Sequence, residues 1–339
     1  MTLRIGINGF GRIGRCLLKI LHARPDAEVV AINDLADKAD LAYLLKYDST
    51  HGWYPRTIQI EGDVLRVDEQ RIAMTACAEP RDVRWGERGT DVVVDCTGAF
   101  RARAKAALHL DAGARKVILS APSEDCDATL VLGCNEASYD PARHHVVSMA
   151  SCTTNSLAPV AKVLLERFGV DYLMFTTVHA YTSSQSLVDT PTRKRRRGRA
   201  AALSIVPTST GAATATAAVL PALKGKVDGL ALRVPVPDGS VTDITAMLMR
   251  KTTVHELHKV LEEAACGPMK GILRVNREEI VSRDVLGDPH SSIVDAPSTS
   301  VLDGRIAKIL AWYDNEWGYA ARLADLAALM AMKGYPPRA

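Results

Sequence analysis

The chain has 339 residues, of which 47% are hydrophobic and 24% are charged. This length is typical of about two domains, and the composition is globular, which excludes disordered and fibrous classes. The 42 Lys and Arg residues are balanced by 39 acidic ones, so the net charge is only +3. This balance argues against a general binder of nucleic acid or of membrane surfaces. One local exception is the basic run 193–199, which contains six cationic residues.

The cysteines and the apolar runs indicate the cellular compartment of the protein. No stretch reaches the roughly 18 apolar residues that a membrane span requires, and the N-terminus lacks a signal-peptide pattern. The seven cysteines are scattered and include no Cys-x-x-Cys pair. We therefore expect no disulfide framework and no metal site. These features predict a cytoplasmic protein in which one cysteine could be kept reactive.

Short β-rich runs alternate with helical patterns in the first half of the chain. Strand patterns cover 3–8, 28–33, 91–96 and 116–120, a helical pattern covers 12–23, and an Ala-rich segment covers 101–112. This alternation predicts an α/β domain with a doubly wound, Rossmann-type parallel sheet. Shorter period-2 runs within 56–74 predict antiparallel excursions from that sheet.

The pattern changes after about residue 150. A helical pattern over 152–167 precedes long strand-like runs at 171–180, 229–236, 240–250 and 305–313, and a final helical pattern covers 316–332. Long strands without regular crossover helices predict an α+β domain with a mostly antiparallel sheet. We expect a cofactor domain over 1–151 and a catalytic domain over 152–315.

A glycine-rich turn follows the first strand pattern and opens the first helical pattern. Gly9, Gly11 and Gly14 form the G-x-G-x-x-G spacing, which permits a tight turn and brings a helix N-terminus to a pyrophosphate. Asp34 lies twenty residues beyond Gly14, at the end of the next strand pattern. A carboxylate there accepts hydrogen bonds from a ribose 2′-hydroxyl and repels a 2′-phosphate, so NAD is favoured over NADP.

Cys152 and His179 are the candidates for covalent chemistry. Cys152 lies between a strand pattern and a helix start, where the helix dipole favours a thiolate, so we expect a lowered thiol pKa. His179 follows a run of β-branched and aromatic residues in the same half of the chain and could act as the base for that thiol. The other six cysteines are interpreted as inert.

Several motifs together resemble the phosphorylating glyceraldehyde-3-phosphate dehydrogenases over the whole chain. The most specific is Ala-Ser-Cys-Thr-Thr-Asn-Ser-Leu-Ala-Pro at 150–159. The others are Ile-Gly-Ile-Asn-Gly-Phe-Gly-Arg-Ile-Gly-Arg at 5–15, Leu-Leu-Lys-Tyr-Asp-Ser at 44–49, Pro-Thr-Ser-Thr-Gly-Ala-Ala at 207–213, Leu-Arg-Val-Pro at 232–235 and Trp-Tyr-Asp-Asn-Glu-Trp-Gly-Tyr at 312–319.

The resemblance implies a reaction and a set of site residues. Cys152 would attack the aldehyde of D-glyceraldehyde 3-phosphate, His179 would take its proton, and inorganic phosphate would cleave the resulting thioester to give 1,3-bisphosphoglycerate. The positions that match the family's NAD site outside the glycines are Arg12, Ile13, Asp34, Ser120 and Asn315. The positions that match its two phosphate sites are Ser151, Thr153, Thr182, Arg199, Thr210, Gly211 and Arg233. The resemblance also implies that the C-terminal helix 316–333 joins the first domain, and that four copies form a homotetramer.

Three alternatives stay open at this stage. Thr190 stands where many NAD-using bacterial relatives carry leucine, so NADP could also be used. Erythrose-4-phosphate dehydrogenase shares the fold and the Ser-Cys-Thr-Thr-Asn motif, although 208–213 favours the triose enzyme. From another class, the basic run 193–199 could bind nucleic acid, but no stacking aromatic residues accompany it. The resemblance gives no role to 193–197.

Overall fold

The computed structural model describes residues 2–335, which divide into two compact units. The described part of the first unit comprises 2–130, 137–150 and 320–335, and the second comprises 131–136 and 151–319. The helices are α1 Arg12–His22, α2 Lys38–Lys46, α3 Arg103–Ala106, α4 Leu108–Asp111, α5 Cys152–Phe168, α6 Ala212–Val219, α7 Val254–Cys266 and α8 Trp317–Met332.

The strands are short in the first unit and long in the second. Those of the first unit are β1 Leu3–Asn8, β2 Ala27–Asn33, β3 Tyr47–Asp48, β4 Gly52–Trp53, β5 Ile58–Glu61, β6 Val64–Val67, β7 Gln70–Thr75, β8 Val92–Asp95, β9 Lys116–Leu119, β10 Ala128–Thr129 and β11 Val146–Ser148. Those of the second unit are β12 Val170–Ala180, β13 Val206–Thr208, β14 Val227–Val234, β15 Ser240–Leu248, β16 Leu273–Asn276, β17 Ser292–Leu302 and β18 Ile306–Tyr313.

The first unit contains a nine-stranded sheet in the order β10-β11-β9-β8-β1-β2-β7-β6-β5. Neighbouring strands from β10 to β7 are parallel, and β7, β6 and β5 pair antiparallel. The central strands are buried along their length because helices cover a doubly wound sheet on both faces. The predicted Rossmann-type sheet and the antiparallel excursion within 56–74 are both confirmed.

The second unit contains a seven-stranded sheet in the order β13-β14-β12-β15-β18-β17-β16. Its pairs are antiparallel except β12 with β14 and β16 with β17, so the prediction of a mostly antiparallel sheet is confirmed. Helix α5 supplies much of the core, since Leu157, Val160 and Leu164 on it are fully buried. Buried apolar side chains of this kind contribute about 1.5–3 kcal/mol each.

The sequence patterns did not indicate several helices and strands of this unit. Helices α6 and α7 and strand β17 were not predicted. Strand β17 contains Pro297 and shifts its register with β18 between Asp295 and Ser300. A proline and a bulge break the regular alternation by which a strand is recognised.

Candidate active site

The helix that carries Cys152 begins with a side-chain cap. Ser151 is the N-cap of α5, and its Oγ accepts a hydrogen bond from the Thr154 amide at 3.1 Å. The preceding residue, Ala150, has a φ of 56°, which is uncommon for a residue with a Cβ. This sharp turn after β11 makes Cys152 the first residue of the helix, where its amide and the next ones have no partner within the helix.

The thiol of Cys152 faces the imidazole of His179. The distance from Sγ to Nε2 is 3.4 Å. His179 lies near the end of β12, is only 4% exposed, and has its Nδ1 2.7 Å from the Ala180 carbonyl oxygen. When Nδ1–H donates to that carbonyl, Nε2 carries no proton and can accept one from the thiol. The structure therefore brings together the two residues expected to carry the covalent chemistry.

Arg233 lies beside this pair because of strand register. The parallel pairing of β12 with β14 sets His179 opposite Arg233. The Arg233 Nη1 donates to the Ala180 carbonyl at 2.9 Å and lies 2.8 Å from Nδ1 of His179. Burial lowers the pKa of this guanidinium, and the neighbouring Cys152 acts in the opposite direction. A partly buried cation next to a thiol is suited to hold an anionic substrate group.

Burial dominates the electrostatics of the pair. It raises the pKa of the Cys152 thiol to about 11, against the smaller opposing effects of Arg233 and of the Thr153 hydrogen bonds. Burial also lowers the pKa of His179 to about 3, and the positive charge of Arg233 lowers it further. The expectation of a lowered thiol pKa is wrong here, because loss of solvation at Cys152 outweighs the helix N-terminus. Both shifts favour the neutral forms of the two groups, the thiol and the uncharged imidazole.

Tyr313 connects the thiol helix to the histidine strand, and the sequence did not indicate this role. Its hydroxyl lies 3.0 Å from Oγ1 of Thr153 and 2.8 Å from Oγ1 of Thr177. Its ring meets the His179 ring edge-on at 6.1 Å between centroids. Tyr313 is 1% exposed, so these hydrogen bonds fix α5 relative to β12. The tyrosine lies within the 312–319 motif, and that motif was the only available signal.

The expected phosphate residues fall into two groups. Ser151, Thr153 and Arg233 lie next to the thiol or the imidazole, as described above. Thr182 pairs its hydroxyl with Ser184 at 2.8 Å, and Thr210 accepts from the Ala212 amide at 3.2 Å, just before α6. Gly211 is the N-cap of α6, and apart from its two chain neighbours no heavy atom of the described residues approaches its would-be Cβ within 4 Å. Space for a ligand therefore exists at that helix start.

The two arginines at the end of the basic run have different surroundings. Arg199 pairs through Nε with Asp189 Oδ2 at 2.9 Å, and both side chains are mostly exposed. Arg197 instead donates from Nε to the Thr208 hydroxyl at 3.0 Å, and its charge lowers the pKa of both His179 and Arg233. These electrostatic effects thus favour Arg197 over Arg199 as the second cation that acts on the imidazole. Sequence reasoning left Arg197 without a role because spacing does not fix which arginine of a loop turns inward.

The glycine turn of the first unit is shaped by close approaches. Gly9 has a φ of 90°, and a Cβ on Gly14 would lie 2.3 Å from the Gly9 carbonyl oxygen. Gly11 is the N-cap of α1, and beyond its two chain neighbours no heavy atom of the described residues lies within 4 Å of its would-be Cβ. Two glycines thus permit the tight turn, and the third leaves open space before the amides of Arg12 and Ile13. These features fit the pyrophosphate of a dinucleotide.

Asp34 and Arg12 flank that turn. Asp34 follows β2, and its carboxylate accepts from the Phe10 amide at 2.6 Å and from the Ala36 amide at 2.9 Å. Arg12 pairs through Nη1 with Asp48 at 2.7 Å. Burial opposes ionisation of Asp48, but hydrogen bonds from Arg12 and from two amides hold the pKa of that carboxyl well below its ordinary value. Asp34 is therefore a fixed carboxylate at the end of the strand next to the glycine turn.

Ser120 and Asn315 lie in different units, and each is held by its own neighbours. Ser120 directly follows β9, and its amide donates to the Asp95 carbonyl at 2.9 Å. Asn315 is 6% exposed, and its Oδ1 accepts from the Ser240 hydroxyl at 2.6 Å, while Ser240 Oγ accepts from the Ala180 amide at 3.1 Å. Because its oxygen is engaged, the Asn315 amide has its NH₂ group to offer as a donor.

A dinucleotide turn on a parallel sheet and a thiol–imidazole pair on a second sheet define an NAD-dependent dehydrogenase that works through a cysteine. Two family models match the chain: the NAD binding domain of glyceraldehyde 3-phosphate dehydrogenase over 3–103, and the C-terminal domain of the same enzyme over 151–315. The chain belongs to the glyceraldehyde-3-phosphate dehydrogenase family. The resemblance seen in the sequence is thereby confirmed.

Relatives of known name match nearly the whole chain. Glyceraldehyde-3-phosphate dehydrogenase of Geobacillus stearothermophilus is 52% identical over 334 residues, which cover 98% of this chain and 100% of the relative. The enzyme of the same name from Mycolicibacterium smegmatis is 52% identical over 338 residues, covering 97% and 99%. Glyceraldehyde-3-phosphate dehydrogenase 1 of Bacillus subtilis is 50% identical over 334 residues, covering 98% and 100%. Within the described residues, no helix has the length and apolar character needed to cross a membrane.

Proposed function

We propose that this protein catalyses the reversible oxidative phosphorylation of D-glyceraldehyde 3-phosphate to 1,3-bisphosphoglycerate, with NAD and inorganic phosphate. Cys152 is the nucleophile and His179 the base. The observation that carries these roles is the 3.4 Å distance between Cys152 Sγ and His179 Nε2, with Nδ1 of the same ring beside a carbonyl oxygen. Family membership and relatives at about half identity support the activity itself.

In each step Cys152 makes or breaks the covalent bond, and His179 takes or returns the proton. Cys152 Sγ attacks the aldehyde carbon while the thiol proton passes to Nε2 and then to the new alkoxide, which gives a thiohemiacetal. Bound NAD supplies the hydride acceptor. As the thioester forms, Nε2 takes the proton of the thiohemiacetal hydroxyl. A phosphate oxygen then attacks the thioester carbonyl, the carbon–sulfur bond breaks, and the imidazolium returns a proton to the departing thiolate.

We propose Arg233 and Arg197 as the cations of the phosphate sites. Both influence the pKa of His179, so an anion bound to them would offset their effect and make the imidazole a stronger base. Hydroxyls of Ser151, Thr153, Thr182 and Thr210 and the amide of Gly211 would supply further donors. Arg199 is assigned to the ion pair with Asp189 in place of the phosphate role inferred from the sequence.

We propose that the first unit holds NAD on the turn formed by Gly9, Gly11 and Gly14. The amides of Arg12 and Ile13 would receive the pyrophosphate, since they begin α1. Asp34 would accept the ribose hydroxyls of NAD and disfavour a 2′-phosphate. Ser120 and Asn315 would serve the nicotinamide end, and the NH₂ group of Asn315 suits a carboxamide oxygen.

An exposed apolar face supports the proposed homotetramer. Tyr172 and Met247 are cross-strand partners, and they are 64% and 41% exposed. Met174 lies two residues further along β12, and Leu230 pairs with Thr176 on the same face, so four large apolar side chains line one sheet surface. Apolar surface of this kind is typical of an interface with a second copy.

Domain boundaries and compartment are proposed on similar grounds. We propose a domain over 1–151 that includes the C-terminal helix 316–333, and a catalytic domain over 152–315. The salt bridge between Arg24 and Asp325 supports the assignment of the helix. All seven cysteines are free, which is typical of the reducing cytoplasm and supports that location.

The experiment that tests the function is a steady-state comparison of substrates and cofactors. Turnover of glyceraldehyde 3-phosphate is expected to require inorganic phosphate and to proceed with a higher kcat/KM for NAD than for NADP. Erythrose 4-phosphate is expected to react less efficiently. Preferential, phosphate-independent oxidation of the four-carbon sugar would contradict the proposal, because that result belongs to the alternative dehydrogenase.

A further inference from the structure

A line of buried polar side chains crosses the carboxyl edge of the first unit's sheet. Asn33, Asn8 and Asp95 are the last residues of the adjacent parallel strands β2, β1 and β8, and each is at most 5% exposed. Asn33 donates to Asn8 Oδ1 at 2.8 Å, and Asn8 donates to Asp95 Oδ2 at 2.7 Å. Thr75, at the end of β7, continues the line by donating to Asn33 Oδ1 at 2.8 Å.

His109 and Trp85 close this line at its other end. The Trp85 indole donates to His109 Nδ1 at 2.9 Å, and both residues are fully buried. Because Nδ1 accepts, the neutral ring carries its hydrogen on Nε2, which lies 3.3 Å from Asp95 Oδ2. Trp85 in turn packs tightly against β1, since a Cβ on Gly6 would lie 2.7 Å from its ring. The indole thus fixes the orientation of the imidazole.

Asp95 connects His109 to the glycine turn through Thr97. Its Oδ1 accepts from the amide of Thr97 at 3.1 Å and from the hydroxyl of the same residue at 2.8 Å. Thr97 packs against Gly9 so closely that a Cβ on Gly9 would lie 2.7 Å from its methyl group. The Gly9 amide donates to the Asn33 carbonyl at 2.8 Å, and Asp34 is the next residue after Asn33. The glycine turn and Asp34, the two parts of the proposed NAD site, therefore directly follow Asn8 and Asn33 of this line.

We infer that His109 is a positioning residue for NAD, which holds the Gly9 turn and Asp34 in place through Asp95 and Asn8. The inference rests on the proposed function, since it concerns the same cofactor. The line of buried hydrogen bonds sets the spacing of the strand ends. The amides after Gly9 and the carboxylate of Asp34 directly follow those strand ends, so their positions depend on that spacing. Removing the imidazole takes away one of the two donors to Asp95 Oδ2, the other being Asn8, and so loosens the carboxylate to which Thr97 is hydrogen-bonded.

The test measures NAD binding directly, by isothermal titration calorimetry of the full chain. In His109→Leu, which fills similar space without polar atoms, the Kd for NAD is expected to rise about tenfold. His109→Gln can still accept from Trp85 and donate to Asp95, so its Kd should stay within about threefold of the wild type. The kcat at saturating NAD should change by less than about twofold in both variants, because Cys152 and His179 are unchanged.

Two further variants separate positioning from general destabilisation. Leu65→Val removes a methylene group from a fully buried side chain on β6, away from the line, and should lower Tm without changing the Kd. Asp95→Asn serves if His109→Leu does not fold, and should also raise the Kd. The inference is overturned if His109→Leu loses only Tm, as Leu65→Val does, or if His109→Gln binds as weakly as His109→Leu. Failure of the wild type to bind NAD would instead contradict the proposed function.

Discussion

Cys152 Sγ and His179 Nε2 lie 3.4 Å apart, one at the first residue of α5 and the other near the last residue of β12. A helix N-terminus and a strand end are both fixed by regular backbone hydrogen bonds, and the hydroxyl of Tyr313 joins the two elements. The proposed nucleophile and its proposed base are therefore held by regular secondary structure, and a mobile loop is not needed to bring them together. This arrangement is suited to covalent capture of an aldehyde.

Replacement of the nucleophile should separate chemistry from cofactor binding. In Cys152→Ser the hydroxyl is a much weaker nucleophile than the thiol, so turnover of glyceraldehyde 3-phosphate should fall by at least about a thousandfold. The Kd for NAD should stay within about twofold, because the glycine turn of the first unit is unchanged. Steady-state assays and calorimetry on the same preparation check both values. Cys266→Ser is the matched control, since that exposed thiol lies outside the site.

Retained oxidation in Cys152→Ser would contradict the covalent mechanism. A loss of activity in Cys266→Ser as large as that in Cys152→Ser would point to oxidation or aggregation in place of catalysis.

The charge of Arg233 should set the ionisation of the catalytic pair. Burial lowers the pKa of His179 and raises that of Cys152, whereas the Arg233 cation lowers both. In Arg233→Gln the pKa of both groups should therefore rise. The inflection in the pH dependence of Cys152 alkylation by iodoacetamide should move to higher pH by about one unit or more.

Arg199→Gln is the control for that measurement because its guanidinium pairs with Asp189 and is mostly exposed. Its alkylation profile should match that of the wild type. An inflection that is unchanged or moves to lower pH in Arg233→Gln would show that this cation does not act on the thiol.

Replacing Arg197 and replacing Arg199 should have different effects on substrate binding. Arg197→Ala should raise the KM for glyceraldehyde 3-phosphate or for inorganic phosphate about tenfold, since a charge-assisted contact to phosphate is lost. Arg199→Ala should change either KM by less than about twofold, because an exposed ion pair contributes little. Steady-state titration of each substrate measures both variants. The reverse ranking would restore the role that the sequence resemblance gave to Arg199.

The parallel sheet could be predicted from local signals in the sequence. Cys152 and His179 were candidates on such signals, and the resemblance of the whole chain to one family singled them out as the proposed pair. A glycine turn between a strand and a helix, and a cysteine followed by small polar residues, are read within ten positions of the chain. Helix α7 carried such a signal too: Thr253 caps the helix by accepting from the Glu256 amide at 3.1 Å, and this spacing was overlooked.

The features that were not predicted depend on distant partners. Tyr313 acts on Thr153 and Thr177 from far along the chain, and Arg197 differs from Arg199 only in which way a loop turns. The packing that raises the pKa of the Cys152 thiol likewise comes from tertiary structure, and it reverses the direction of the shift expected from the helix N-terminus. Spacing within one segment contains none of this information.

A buried carboxyl pair should make stability depend on pH. Asp238 and Asp314 are 2% and 1% exposed. The Asp314 carboxyl oxygens accept from the amides of Gly287 and Trp317 at 2.7 and 2.6 Å. Burial, and then the charge of Asp314, raises the pKa of the Asp238 carboxyl far above its ordinary value. The folded protein therefore retains a proton on Asp238 that the unfolded chain releases near pH 4.

The sign of the effect follows from that proton. Above pH 4 the unfolded chain binds fewer protons than the folded protein, so this group's stabilising contribution decreases as pH rises towards the raised folded pKa. The slope reaches at most about 1.4 kcal/mol per pH unit. Asp238→Asn cannot ionise, so its Tm relative to the wild type should increase steadily from pH 6 to pH 9 at one protein concentration. Asp228→Asn, at an exposed carboxylate on β14, should show no such trend. A constant Tm difference for Asp238→Asn across this range would mean that Asp238 is ionised in the folded protein.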